Sequence, residues 1–408
     1  MLVENLPVPF DRRVWMESTT LRRAGYQVVV ICPRGRDGAR WHERLEEIDI
    51  YRYPLPSLSG VAGHIAEYAI ALLATALLSL IVAWRHGFDV IHAANPPDLF
   101  FLIAALYKPF GKKFVFDHHD LVPEACETRW TGARLAVLRR LMMWCEHATF
   151  RMADLVISTN ESYRRVALTR GGRHPDAVVV VRSGPLKSRF VPVPADPSLR
   201  GGRRFLVCYL GVMGPNDGVH LLLAAAHTLV TTFDFPEVRF VLIGSGDCFG
   251  DLVDEAHRRG LEPWVTFTGR ISDELVIRYL STADLGVAPD PRDALNDAST
   301  MNKIVEYMAL EKPIVQYDLT EGRFSAQAAS LYAKHNDPAD FADKILQLLS
   351  DPAARAAMGR YGRERVEREL SWEHEAPKLL AAYEALFSSR RSSDAGDGSP
   401  QGAKAKAS

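Results

Sequence analysis

The sequence is organised by a rhythm that runs, breaks and starts again. Short apolar and β-branched runs alternate with longer amphipathic stretches. The first candidate strands fall at 27–32 (QVVVIC), 48–53, 88–92, 113–117, 154–158 and 177–182. A segment rich in proline, glycine and basic residues fills 183–203, and the rhythm restarts at 204–210, 238–243, 264–268, 284–288 and 313–317. The runs are continuously apolar, as expected of strands buried on both faces of a parallel sheet. Strand–helix repetition with one break predicts an α/β chain of two doubly wound, Rossmann-like domains facing a cleft. We place them at 1–190 and 203–370, which the 408 residues accommodate. An amphipathic helix is expected at 373–387, and 388–408, without apolar periodicity, is expected to be disordered. At the other end Met1-Leu2-Val3 runs straight into Glu4-Asn5. Either the first strand is short or the native start lies upstream.

Composition removes several functions. Lysine plus arginine number 49 and aspartate plus glutamate 50, so the net charge of −1 argues against a surface built for nucleic acid. Cys32, Cys126, Cys145, Cys208 and Cys248 contain no C-x-x-C pair. That speaks against a disulfide framework or zinc site and fits a reduced compartment. No secretory signal pattern opens the chain, so a cytoplasmic location is expected. The turn at 210–220 (LGVMGPNDGVH) lacks the Gly-Lys-Ser/Thr ending of a P-loop. The turn at 243–250 (IGSGDCFG) departs from both the dinucleotide fingerprint and the hydrolase elbow.

Two stretches bear on membranes. Residues 68–84 (YAIALLATALLSLIVAW) carry no charge over 17 positions, just short of the ~20 that span a bilayer. They read as a helix buried against the sheet or as one facing a membrane. A span is disfavoured because both flanks belong to one sheet. Within 133–152, Leu135, Leu138, Leu141, Met142 and Cys145 fall at helical spacing. Arg134, Arg139, Arg140 and Arg151, with Lys108, Lys112 and Lys113, add positive charge. This is either a lipid-binding or a solvated basic face.

Ligands of doubly wound sheets bind at the carboxyl ends of strands, so the loops there matter most. In 296–317 (NDASTMNKIVEYMALEKPIVQY) a polar loop precedes a helix that Ser299 or Thr300 is placed to cap. Its amino terminus near Asn302 is a natural phosphate seat. Lys303 lies in the first turn, useful beside an anion, and Glu306 one turn on can accept two hydroxyl bonds from a ribose diol. The plainer reading is a surface charge pair. In 115–124 (VFDHHDLVPE), His119 is placed to donate to a substrate hydroxyl or phosphate, with Asp120 orienting its ring. The plainer reading is a hydrogen-bonded loop histidine. A metal is disfavoured because adjacent histidines on an extended chain point to opposite faces. Gly211 and Gly214, like Gly244 and Gly246, permit close approach by a phosphate. The loops 4–13 (ENLPVPFDRR) and 92–98 (HAANPPD) carry polar groups at predicted strand ends, Asn5, Arg12, Asn95 and Asp98 among them, and Glu124 closes the histidine loop.

Taken together, two doubly wound domains, Asn302-Lys303 with Glu306-Tyr307-Met308-Ala309, and Gly211–Gly218 resemble glycosyltransferase family 4, of GT-B fold, over about 1–387. The stretches ENLPVPFDRRVW, NPPD, FDHHDLVPE, TNES, GVMGPNDGV and NDASTMNKIVEYMAL resemble one bacterial subgroup. It builds O-antigen and capsule, of the N-acetyl-L-fucosamine transferase type. The resemblance implies retaining transfer of a hexosyl or N-acetylhexosaminyl unit from a nucleoside-diphosphate sugar, UDP-linked by expectation. It implies no catalytic metal or cofactor. The acceptor, a glycan or polyprenyl-linked glycan, would sit on the first domain, with Asn5, Arg12, Asn95, Asp98 and Glu124 on its side, and the donor on the second, peripheral to the inner membrane face. Residue by residue, Glu306 matches the family's ribose-binding glutamate. Thr268-Gly269-Arg270 matches the loop beside the base, and Gly244 and Gly246 the turn near the diphosphate. His119 matches the histidine near the transferred sugar, and helix 373–387 would cross back onto the first domain.

Two departures stand out. The family's pair of glutamates is incomplete, with Ala298 at the first position and Asp297 or Asn296 to stand in. The arginine and lysine that many members carry in the first loop of the second domain are here Val212 and Asp217. Charge on a leaving diphosphate then needs another partner. Lys303 is the first candidate, then Arg270 or Arg292, or the helix amino terminus at 299–302. Two other readings share the fold: a nucleotide-sugar epimerase and a non-catalytic nucleotide-sugar binder.

Overall fold

The apolar runs become strands because both of their faces are covered. In Lys113–His118, Phe114 and Phe116 enter one core and Val115 enters another, across the sheet. The computed structural model describes residues 1–35, 40–56, 58, 60–129 and 133–394. Its first sheet holds β1 (Val29–Pro33), β2 (His42–Leu45), β3 (Ile48–Tyr53), β4 (Val90–Ala94), β5 (Lys113–His118), β6 (Leu155–Ser158) and β7 (Val178–Val180). They pair as β1-β3-β2 and β4-β5-β6-β7. Leu2 joins the two groups, bridging Ile31 and Ala93 in parallel. The second sheet holds β8 (Phe205–Leu210), β9 (Val238–Ile243), β10 (Val265–Gly269), β11 (Leu285–Ala288), β12 (Ile314–Tyr317) and β13 (Ser330–Ala333). Its order is β10-β9-β8-β11-β12-β13, all parallel. The order reverses between β8 and β11, the switch point at which such sheets bind ligands. The expected fold of two Rossmann-like sheets is the one that forms. β2 (HERL) and β13 (SLYA) were not anticipated. β2 is a half-exposed antiparallel edge, and β13 is short.

The chain crosses between its halves at 181–204 and again before helix Trp372–Asp394. That helix packs Trp372, Leu379 and Tyr383 against Val14 and Leu21 of the first helix, Arg12–Arg23. Trp372 Nε1 also donates to Thr20 Oγ1 at 2.9 Å. The crossings touch at Gly184, where a Cβ would collide with the Leu370 carbonyl. The helix runs through Asp394, so the start of the segment expected to be disordered is helical. Residues 395–408 lie outside the described residues.

Helix Gly60–Arg85 is buried on one stripe only. Ala71, Thr75, Ser79 and Val82 face inward, while Leu73, Leu77, Leu80 and Trp84 are exposed, Trp84 at 84%. Within it Gly63–Arg85 is long and apolar enough, by length and composition, to cross a membrane. Ser79 Oγ meets Tyr107 Oη at 2.9 Å, tying it to helix Phe101–Tyr107, which exposes Leu102 and Leu106. Helix Ala133–Met152 lies next, with Trp144 against Phe101 at 6.0 Å, and exposes Val137, Leu141 and Trp144. Helical spacing had grouped Leu141 with Cys145, yet Leu141 is exposed and Cys145 buried. The nearby lysines do not form an open basic patch. Lys108 and Lys113 pair with Asp154, and Lys112 with Asp89. The side chains of Arg134 and Leu135 lie outside the described residues.

Candidate active site

The carboxyl-end loops of the two sheets meet. Phe10 lies under the Arg270 guanidinium at 5.2 Å. Arg12 donates to Glu306 Oε1 at 3.1 Å and to Asp273 Oδ1 at 3.2 Å. Asn160, after β6, donates to the Ala298 carbonyl at 2.9 Å and to Thr300 Oγ1 at 3.0 Å.

On the second sheet, the glycines of the two turns are spent on each other. Gly244 has φ +137°, and a Cβ there would strike the Gly211 carbonyl. A Cβ on Gly246 would lie 2.6 Å from the Met213 carbonyl. The backbone clasps of Met213 N to Ser245 O and Cys248 N to Met213 O complete the contact. Gly214, Asp217, Ser245, Gly246, Asp247 and Arg270 then line a hollow of about 240 Å³. Gly269, at φ +65°, accepts Gly244 N. Val212 is exposed, and Asp217 Oδ2 accepts Gly214 N at 2.8 Å, holding the loop.

Helix Asn302–Ala309 begins at Met301 with no side-chain cap. Ser299 and Thr300 do not cap it: Met301 holds the capping position, and Ser299 ends the short preceding helix, Ala294–Ala298. Ser299 instead donates to Leu295 O and meets Tyr163 Oη, and Thr300 receives Asn160. Asn302 is the exposed first residue. Lys303 is buried, its Nζ 2.8 Å from Asp290 Oδ1 and 4.8 Å from the Tyr209 ring centre. Burial opposes its charge, but Asp290 and Asp217 outweigh it and raise the pKa. Its Cε lies 3.4 Å from where a Gly211 Cβ would stand, so this ammonium sits beneath the first turn. The Glu306 carboxyl is raised by burial, against the pull of Arg12 and Arg189.

Asp297, the candidate stand-in for the missing glutamate, is engaged by a neighbouring helix. Its two oxygens receive Thr320 N and Oγ1, both at 2.9 Å, at the start of helix Thr320–Ala326. Asn296 is buried and donates to the Asn216 and Pro291 carbonyls. Arg292 pairs with His335 and lies 3.8 Å from Asp297.

On the first sheet, Asp117 rather than Asp120 takes the His119 ring, with Nδ1 3.1 Å from Asp117 Oδ2. Burial alone would lower the His119 pKa, but Asp117 and then Asp120 push it up to about 9. Asn95 holds this loop. Its Oδ1 accepts His119 N and Asp120 N, and its Nδ2 donates to Asp120 O and Asp98 Oδ1. Burial raises the Asp98 carboxyl to about 8. Glu124 is committed to Arg170, which also grips Glu146 at 2.6 Å. Asn5 is exposed on its loop. Glu17, His92 and Asp117 bring three ligand atoms within 4.8 Å of one another, but the Arg13 guanidinium already supplies the cation. Arg13, Asp117, Asp290, Asn160 and Glu321 escaped the sequence reading. Asp117 is the next-to-last residue of an apolar strand and Asp290 lies just past one, which was the available signal.

The fold is of the two-sheet GT-B class. Residues 11–184 match the family described as Glycosyl transferase 4-like domain, and 204–351 match Glycosyl transferases group 1. Together these stretches span most of the chain, with a glycosyl transferase 4-like domain first and a glycosyl transferases group 1 domain second. The chain is 26% identical to a D-inositol 3-phosphate glycosyltransferase of Corynebacterium urealyticum over 59% of this chain, and spans 59% of that relative's length. It is 25% identical to a glycogen synthase of Mycobacterium tuberculosis, over 91% of this chain and 90% of that one. Sucrose-phosphate synthase from Thermosynechococcus elongatus shares the fold at a TM-score of 0.76 and 19% identity, covering 95% of this chain and 96% of that one. Anabaena HepE, solved with UDP and glucose, does so at 0.70 and 16%, covering 94% and 99%.

Proposed function

We propose that this chain is a metal-independent, retaining glycosyltransferase. It would move a hexosyl or N-acetylhexosaminyl unit from a nucleoside-diphosphate sugar, UDP-linked first, to a glycan or polyprenyl-linked acceptor in surface-polysaccharide assembly. One observation carries the reading. Helix Asn302–Ala309 opens without a side-chain cap and places the nearly buried Glu306 one turn on. Free N–H groups favour a diphosphate, and a shielded carboxylate suits a ribose diol. The Lys303 ammonium beneath Gly211 favours charge developing on the leaving group. No protein nucleophile is needed if the acceptor hydroxyl attacks from the leaving group's face and passes its proton to a donor phosphate oxygen. The protein then orients, stabilises and excludes water. HepE's complex with UDP-glucose and an Arabidopsis starch synthase bound to ADP support this donor class.

The same reading puts the protein on the cytoplasmic face of a membrane. Leu73, Leu77, Trp84, Leu106, Phe110 and Trp144 expose apolar surface on adjoining helices, and Arg85, Arg140 and Arg151 are exposed beside them. Such a surface suits an anionic bilayer carrying a lipid-linked acceptor.

The test begins with thermal shifts against UDP, GDP and their sugar conjugates, where the true ligand raises the midpoint. With that donor, Glu306→Ala and Lys303→Ala should each lower turnover tenfold or more while circular dichroism is unchanged. Near-normal turnover in both would overturn the donor site. A free epimerised nucleotide sugar without acceptor would point to an epimerase, and binding without turnover to a non-catalytic binder.

A further inference from the structure

Behind His119 lies a chain of buried polar groups that reaches the cleft at one member. Asp117 Oδ1 accepts Arg13 Nη2 at 2.7 Å, and Oδ2 accepts Arg13 Nε at 2.9 Å. Oδ2 also faces His119 Nδ1 at 3.1 Å. Arg13 Nη1 is spent on the Val181 carbonyl at 2.9 Å and Ser183 Oγ at 3.1 Å. Arg13 Nη2 also lies 3.1 Å from Glu17 Oε1. Glu17 Oε2 lies 3.4 Å from His92 Nε2, and His92 Nδ1 is 2.6 Å from Tyr383 Oη. The side chains of Glu17 and Asp117 are fully buried, whereas His119 keeps 16% exposure.

A buried ionic network is weak support for stability, since an apolar core of the same volume does as well. One whose most exposed member is a single histidine ring has a different use. The guanidinium stays charged and holds Asp117 ionised, well below the usual carboxylate range despite burial. An ionised carboxylate only accepts, so His119 Nδ1 is the donor and Nε2 is left for the cleft.

We propose that Asp117, clamped by Arg13 of the first helix, is the positioning residue that fixes the His119 ring. Nδ1 faces Asp117 and Nε2 faces substrate, so the ring serves as a charged donor rather than as a base. The donor role in turnover rests on the transferase reading; the ring's charge and orientation do not. Asp120 from the same loop favours the charge, and Arg13 opposes it. His118 and His92 are kept neutral by burial, both lowered to about 3, and Glu17 is raised to about 8 by burial and Asp117.

The test is an NMR titration of the full chain with labelled histidine rings, His119 assigned by its loss in His119→Gln. We expect the wild-type ring to titrate near 9. Asp117→Asn should lower the midpoint by at least one pH unit, toward the ordinary value of about 6.5. Asp120→Asn should lower it less. A wild-type midpoint at or below about 6.5 overturns the proposal, as does an Asp117→Asn protein with an unmoved midpoint. If Asp117→Asn does not fold, the wild-type midpoint decides. In the transfer assay Asp117→Asn should lower kcat more at pH 8 than at pH 6, with donor KM changed less than twofold. Titration as expected without transfer by the wild type would retain the positioning role and remove the transferase reading.

Discussion

Where helix Glu161–Thr169 meets the second half of the chain, the contacts are shielded; where loop 4–13 meets it, charges face one another in the open. At the first junction Glu321, 4% exposed, receives Ser162 N, Ser162 Oγ and Arg182 Nη1. Arg182 also stacks on Phe324 at 4.0 Å. Asn160 and Tyr163 add bonds to Ala298, Thr300 and Ser299. At the second, Arg12 and Asp273 are 48% and 63% exposed, Arg189 shares Asp273, and Arg270 covers an exposed Phe10. Groups shielded from water are costly to separate unpaired, whereas exposed ion pairs contribute little. The contrast predicts that, if the cleft opens to admit substrate, the first junction is the pivot and the second the rim.

The comparison breaks most readily at Glu321. Glu321→Ala strands the shielded Arg182 and should destabilise the protein by about 3 kcal/mol or more in chemical unfolding. A loss under about 1 kcal/mol would make the pivot no stronger than an exposed pair. Asn160 comes next, because it both caps its helix, accepting Tyr163 N at 2.8 Å, and donates across the junction. Asn160→Ala should cost about 2 kcal/mol from both losses. Asn160→Asp keeps the cap and replaces a donor with an acceptor facing the Ala298 carbonyl. Equal stabilities of wild type and Asn160→Asp would mean the cross-junction bonds contribute nothing.

The same contrast explains what the sequence disclosed. Lys303, Glu306 and His119 could be singled out because each sits in a local pattern, a polar loop at a strand end or a helix's first turns. Their partners could not. Arg13 and Asp117 are 104 residues apart, and Asp290 reads as a loop carboxylate just past a strand until Lys303 folds against it. Asp297 has the right charge near the right place, but Thr320 claims its oxygens once the next helix folds back. Ser299 and Thr300 look like caps because the helix at 294–298, capped by Asp293, leaves too short an apolar trace to notice. For residues 68–84, hydropathy alone could not separate burial from exposure. The stripe of Ala71, Thr75 and Ser79 marks the inward face, and it is small rather than apolar.

The rim makes the smallest prediction in energy and the sharpest in sign. Arg12 occupies Glu306, the carboxylate assigned to the donor's ribose, so a bound donor must displace it. Arg12→Ala should change stability by about 1 kcal/mol, because Arg12 and Asp273 are largely solvated while the shielded Glu306 keeps Arg189 nearby. Removing the competitor should tighten the nucleotide Kd by up to about fivefold, the equivalent of that energy. Raising the salt from low to moderate should weaken the Arg12 pairs in the wild type and bring its affinity toward that of the variant. If Arg12 instead grips the diphosphate, the variant binds more weakly and the gap to wild type narrows with salt from the other side. Calorimetric titration of both proteins at two ionic strengths separates these outcomes, and weaker binding by the variant would show that the rim belongs to the donor site rather than guarding it.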